Sequence, residues 1–263
     1  LTAVDDVGTA TTTLNSGDTT NDAQPTLTGS GEVGATIHII VDELEIGTAV
    51  VNASGSWTFT PETALDEGTR SIRFTATDTA GNTGPASDPF ILTVDTLAPA
   101  APTLTAISDN VGPLQDPITT SGQATDDATP TLTGQAEANA RVAIYDNGAL
   151  VGTVQATETG SWSWTPDNAL TGGSHTFTTT ALDAAGNLSE TSPGFTLIVD
   201  TLKPIPPTIA LAIDDVGPVT GPLTSGRTTN DPQPVLTGTS EPNALVRIYE
   251  GETLLGEGQA DSN

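Results

Sequence analysis

The chain has 263 residues, with 33 acidic against six basic side chains and a formal net charge of −27. That balance excludes phosphate-driven nucleic-acid binding and adsorption to anionic lipid, both of which depend on cationic contacts. Cysteine and methionine are absent, so there is no disulfide framework, thiolate metal site or thiol nucleophile.

No run of about 20 apolar residues occurs, so no helical membrane span is expected. The first residues, "LTAVDDVG", open in mid-pattern with no signal-peptide signature, as an excised fragment would. They hold Asp5 and Asp6, and Asp22 follows in "TND" at 20–22. "PTLTG" at 25–29 starts a run of alternating apolar and polar residues with frequent threonine, the pattern of half-buried strands. "GSWTFTP" at 55–61 and "ATDTAGN" at 76–82, with Asp78, continue it. "VDTLAPAAP" at 94–102 then places Asp95 between a strand end and a proline-rich joint.

The same order returns. "DNVG" at 109–112 brings Asp109 and Asn110, and Asp127 follows before "PTLTG" at 130–134. Glu137 precedes "RVAIYDNGALVGTVQA", in which Val142 and Ile144 point to one face and Asp146–Asn147–Gly148 signals a hairpin. "GSWSWTP" at 160–166, "HTFTTTALD" and "ALDAAGN" with Asp183 lead to "VDTLKPIPP" at 199–207, with Asp200. A third pass begins with Asp214 and Asp215, continues through Asp231, "PVLTG" at 234–238 and Glu241, and stops before any "GSW" segment. The matched motifs lie 104 or 105 residues apart. A period of about 100 residues built from about seven short strands is that of an immunoglobulin-like sandwich. The expected fold is therefore all-β, with tandem sandwiches forming a linear rod. Repeats are expected over 1–97 and 98–202, with strands from about 103, and a partial N-terminal half-repeat over 203–263 that cannot close a core. The proline-rich joints favour extended backbone, so the partners of each repeat are its neighbours in the chain.

Strand order places the recurrent acids. In a seven-stranded sandwich Asp95 and Asp200 end the last strand at the bottom. Asp78 and Asp183 begin the sixth loop at the top, and Glu32, Glu137 and Glu241 lie in the second loop, also at the top. Stacking brings Asp95 toward Asp183 and Glu137, and Asp200 toward Glu241. The long first loop, with Asp5, Asp6 and Asp22, then Asp109 and Asp127, then Asp214, Asp215 and Asp231, lies near the joint as well. These groups offer hard oxygen donors and so select Ca²⁺, which takes six to eight of them, over the tighter octahedral Mg²⁺. His38 and His175 do not match between repeats, which disfavours Zn²⁺ or copper. Each aspartate taken singly also fits a turn former that bonds nearby amides. Trp57, Trp162, Trp164, Phe59 and Phe177 recur on alternating strands, as core residues do, although a sugar-stacking platform uses the same side chains. No nucleophile–base pair repeats, so no enzyme activity is expected.

"PTLTGQAEANARVAIYDNGALVG", "GSWSWTP", "ALDAAGN" and "VDTLKP" together resemble the bacterial Ig-like repeats of giant type I-secreted adhesins of Gram-negative bacteria. The resemblance spans the chain. It implies extracellular extender domains on the cell surface that hold a distal tip for host-cell or surface ligands. It also implies Ca²⁺ at the domain junctions, with Asp95, Asp183 and Asp200 as ligands and the first-loop aspartates as a second set. Two alternatives remain: direct binding of a glycan or protein by the loops, or an accessory domain of a secreted polysaccharide-active enzyme.

Overall fold

The computed structural model describes residues 1–8, 11–112 and 115–262, and among these every regular element is a strand. Repeat 1 contains β1 (Thr2–Asp5), β2 (Thr12–Leu14), β3 (Thr19–Thr20), β4 (Thr26–Ser30), β5 (Thr36–Val41), β6 (Leu44–Val50), β7 (Ser56–Phe59), β8 (Gly68–Thr77) and β9 (Phe90–Val94). They form two facing sheets, β2-β1-β4-β7 and β3-β9-β8-β5-β6. Period-two patterning fixes which side chains turn inward. β5 buries Ile37, Ile39 and Val41, and β9 buries Phe90, Leu92 and Val94.

Repeat 2 contains β10 (Thr103–Ser108), β11 (Gln123–Thr125), β12 (Thr131–Gln135), β13 (Arg141–Asp146), β14 (Ala149–Gln155), β15 (Ser161–Trp164), β16 (Gly173–Leu182) and β17 (Phe195–Val199). Its sheets, β10-β12-β15 and β11-β17-β16-β13-β14, repeat those of the first, with one difference. There is no counterpart of β2 among the described residues, where an isolated bridge joins Ile107 and Ile118 instead. The seven expected strands are thus present in both repeats, with short strands added inside the long first loop. One of these additions matters for the site. β3 pairs parallel to β9, with Thr20 opposite Val94, and β11 pairs parallel to β17, with Thr125 opposite Val199. The first loop is thereby pinned to the end of the last strand.

The aromatic residues picked out by the sequence pack in the core or against it, Phe59 and Trp164 being only partly buried. Trp162 and Phe177 are buried with Leu132, Val142, Ile144 and Leu197, and Trp57 is buried with Leu27, Ile39, Ile72 and Leu92. Glycines in the neighbouring strand make room for the indoles. A Cβ at Gly29 would lie 2.7 Å from the Trp57 ring, and one at Gly134 would lie 2.4 Å from Trp162. Truncating a tryptophan seated this closely costs about 3–5 kcal/mol.

Residues 1–200 form one compact unit and residues 201–263 a second. The second contains β18 (Thr208–Asp214), β19 (Gly221–Leu223), β20 (Val235–Thr239), β21 (Leu245–Glu250) and β22 (Thr253–Gln259), in sheets β19-β18-β20 and β21-β22. None of its described apolar side chains is fully buried. Ile209, Leu236, Val246, Ile248 and Tyr249 line an open groove of about 630 Å³. Gly238 matches Gly134 in sequence but has no indole over it, and the nearest atoms to a Cβ there belong to the Thr208 and Ile209 backbone.

Candidate functional site

The first-loop aspartates are held by one hydrogen-bonded arrangement that occurs three times. In repeat 1 the Thr20 hydroxyl donates to Asp5 Oδ2 at 2.6 Å, and Asp5 Oδ1 accepts the Val7 amide at 2.9 Å. The Asp22 amide donates back to Thr20 Oγ1 at 3.0 Å, while Asp22 Oδ1 accepts the Gln24 amide at 2.8 Å and Oδ2 the Asp6 amide at 3.4 Å. Repeat 2 uses Thr125 between Asp109 (2.7 Å) and Asp127 (3.0 Å), with Asn110 donating its amide to Asp127 at 3.4 Å. The second unit uses Thr229 between Asp214 (2.6 Å) and Asp231 (2.9 Å), with Asp215 in the position of Asp6 at 3.5 Å.

All six bridged carboxylates are buried, and no Lys or Arg pairs with any of them among the described residues. Burial raises the Asp22 carboxyl above the usual aspartate range. The amides of Gln24 and Asp6 oppose that shift, and the charges of Asp5 and Asp6 add to it. The sequence had marked these aspartates as ligands or turn formers. It did not single out the threonine that bridges them, although Thr-x-Asp at 20–22, 125–127 and 229–231 carries the signal.

The end of each last strand is tied to this arrangement. The Asp95 amide donates to the Thr20 carbonyl at 2.9 Å, and the Asp200 amide to the Thr125 carbonyl at 2.8 Å. Asp95 therefore stands at the same end of repeat 1 as Asp5 and Asp22. Its own Oδ1 accepts the Leu97 amide at 3.2 Å.

Repeat 2 meets that end with its sixth loop. Asn187 Nδ2 donates to the Asp95 carbonyl at 2.8 Å and also to Asp183 Oδ2 at 2.8 Å. The Asn187 amide donates to Asp183 Oδ1 at 2.8 Å, closing the loop on itself. Gly186, at φ +97°, stands against Asn21, since a Cβ there would lie 3.7 Å from Asn21 Nδ2. Glu137 shares the joint. Its carboxyl is raised above the usual glutamate range, first by burial and then by the charges of Asp183 and Asp95. A carboxylate of its own repeat and one of the repeat before thus both act on Glu137.

Asp78 repeats the Asp183 loop at the opposite end of repeat 1, where it is exposed. Hydrogen bonds from the Asn82 side chain and amide hold it below the usual aspartate range, with the Ala80 and Gly81 amides contributing. Asp200 belongs to the first compact unit and Glu241 to the second, where the Glu241 carbonyl accepts the Ala244 amide at 3.1 Å. Among the described residues no group of three or more His, Asp or Glu side chains is set as a metal cage. The polar groups at the joint are carboxylates, a side-chain amide and a main-chain carbonyl.

A family model described as bacterial Ig-like domain matches residues 2–96 and again 104–201. No curated protein was found to match the chain. Among solved structures, the fibronectin(III)-like modules of Clostridium thermocellum CbhA are 12% identical, with 76% of this chain and 94% of that one covered and a TM-score of 0.41. A tetra-tandem repeat in the extending region of a large adhesion protein is 18% identical, covering 99% and 80%, with a TM-score of 0.32. The BSP domain of a biofilm-associated protein is 22% identical, covering 71% and 29%, with a TM-score of 0.29.

Proposed function

The chain belongs to the bacterial Ig-like domain family, and from that premise we propose that it is a run of extender repeats of a cell-surface adhesin, stiffened by Ca²⁺ at its joints. On this proposal its work is mechanical and extracellular. It holds a distal tip away from the cell, and the adhesive ligand binds elsewhere in the protein.

The observation that carries the proposal is the joint between repeats 1 and 2. A hydrogen bond from the Asn187 side chain to the Asp95 carbonyl couples the repeats, and the charges of Asp183 and Asp95 both bear on Glu137. A hard dication bound there would offset the negative charge, and it takes oxygen donors of this type. Asp95, Glu137, Asp183 and Asn187 would hold it at the joint. Asp5, Asp6 and Asp22, with Asp109 and Asp127, and Asp214, Asp215 and Asp231, form the second set. Asp78, Asp200 and Glu241 complete the proposed ligand set. Ions that bind the aligned chain better than the loose one favour alignment by mass action. At the roughly millimolar Ca²⁺ found outside cells, sites of roughly 10⁻⁴ M fill, whereas in cytosol they empty. The unfilled chain, at −27, repels itself, which suits export before rigidification.

Small-angle scattering of the full chain in Ca²⁺ and then in chelator tests this. The maximum dimension falls and the profile broadens on chelation. A profile indifferent to Ca²⁺ contradicts the proposal.

A further inference from the structure

Both repeats place a basic side chain at the third residue of their longest strand, but they use different residues. In β8 it is Arg70, and 105 positions later, in β16, it is His175. Arg70 Nη1 donates to Asp42 Oδ2 at 2.9 Å, and Nη2 donates to the Glu67 carbonyl at 2.5 Å. His175 reproduces both connections. Nδ1 lies 2.6 Å from Asp146 Oδ2, and Nε2 lies 2.8 Å from the Thr171 carbonyl. In each repeat the side chain ties a hairpin turn to the loop that precedes the long strand. The turns match as well, with positive φ at Asp42 and Glu43 and at Asn147 and Gly148. The carboxylate has moved by one position, from the first turn residue, Asp42, to the residue before it, Asp146.

The chemistry of the two ties differs. A carboxylate and a main-chain carbonyl are both acceptors with no hydrogen to give. A neutral imidazole has one N–H, so one of its nitrogens would turn a lone pair toward an acceptor. The imidazolium alone donates to both. The pair is well covered, with side-chain exposures of 8% for His175 and 13% for Asp146. Asp146 Oδ1 is buried without a hydrogen-bond partner, so this carboxylate leans on His175 for its stabilisation. Phe177 stacks on the imidazole, with centroids 6.2 Å apart and planes 16° from parallel, and holds it in place. The neighbouring β17 sets Leu197 opposite His175, and the loop ahead of β16 contributes only the Thr171 carbonyl. Asp146, on β13, is the one charged group that bears on the ring among the described residues.

We infer that His175 and Asp146 form a protonation-dependent clamp peculiar to repeat 2, which fastens the β13–β14 turn to the loop ahead of β16 and loosens as pH rises. Repeat 1 stays fastened, because arginine keeps its charge throughout. Burial works against the charged imidazole, but the Asp146 hydrogen bond, the Thr171 carbonyl and the Asp146 charge outweigh it and hold His175 above the usual histidine range. A histidine raised in the folded state stabilises that state fully below its unfolded value and loses the effect as pH climbs through the folded one. Neutral to mildly alkaline conditions are therefore where repeat 2 weakens and repeat 1 does not.

The test is an NMR pH titration of the full chain, with His38→Gln used to assign the two imidazoles. His175 titrates above the ordinary value of about 6.5, and Asp146→Asn lowers it by about a unit or more. Heating at about pH 6 and about pH 9 then separates the repeats, because β13 and β16 amide signals disappear earlier at the higher pH while those of β5 and β8 do not. His175→Arg abolishes that difference. A wild-type His175 that titrates at or below the ordinary value overturns the inference even if the arginine variant does not fold. An equal pH effect on both repeats, or one that persists in His175→Arg, overturns it as well.

Discussion

The side-chain amide of Asn187 donates to the main-chain carbonyl of Asp95 at 2.8 Å, joining the sixth loop of one repeat to the last strand of the repeat before it. The same nitrogen bonds the Asp183 carboxylate, so one residue both shapes its own loop and holds the neighbour. Because the carbonyl belongs to the backbone, this one hydrogen bond does not require a particular side chain at position 95.

Asn187→Ala removes the inter-repeat bond and leaves the Asp183 carboxylate short of one donor, since the main-chain amide at 187 still reaches Oδ1. The expected loss is about 1–3 kcal/mol in denaturant unfolding of the full chain. The transition should also lose cooperativity, with repeats 1 and 2 melting apart. Asn82→Ala, in the matching loop at the other end of repeat 1, removes a bond to Asp78 within that repeat and should leave the coupling of repeats 1 and 2 unchanged.

Thr125→Val keeps the shape of the bridging residue but deletes the hydroxyl that Asp109 and the Asp127 amide share. Both are buried, so about 1–3 kcal/mol of repeat 2 stability should go, with little change in the slope against denaturant. Thr125→Ser restores the hydroxyl and should recover most of it. If valine proves neutral, the bridge is incidental to packing.

Glu137 supplies a pH dependence with a definite sign. Its carboxyl is raised by burial and by Asp183 and Asp95, so its charge opposes the closed joint. Without Ca²⁺ the joint should therefore strengthen as pH falls through the folded Glu137 value toward the ordinary glutamate value, and weaken again on return to neutrality. Glu137→Gln should mimic acidification, raising the melting temperature in chelator while reducing the gain that Ca²⁺ brings. A uniform drop under both conditions would instead mark Glu137 as a packing residue.

Much of this was legible in the chain itself. Motif spacing gave the repeats, and alternation gave the inward face of β13, where Val142 and Ile144 are buried. Strand order alone placed Asp95, Glu137 and Asp183 at one joint, because in a sandwich the path of the chain fixes which loops share an end. The bridging role of Thr20, Thr125 and Thr229 was not legible. A contact between residues 15 or 16 apart depends on the short parallel pairings of β3 with β9 and β11 with β17, and two- and three-residue strands leave no periodic trace. Asn187 was hidden for another reason. In "DAAGN" an asparagine reads as a turn residue, and its second bond reaches a residue 92 positions away. The His175 clamp escaped because comparing the two histidines with each other conceals that the true counterpart of His175 is Arg70.

The most direct measurement is a Ca²⁺ titration of the full chain, followed by calorimetry and by amide and side-chain NMR signals. The account predicts saturable binding, with the largest shifts at residues 95, 137, 183 and 187 and a rise in melting temperature that Asp95→Asn together with Asp183→Asn removes. Absence of saturable binding at millimolar Ca²⁺, or shifts scattered over the acidic surface with none at the joint, would contradict it.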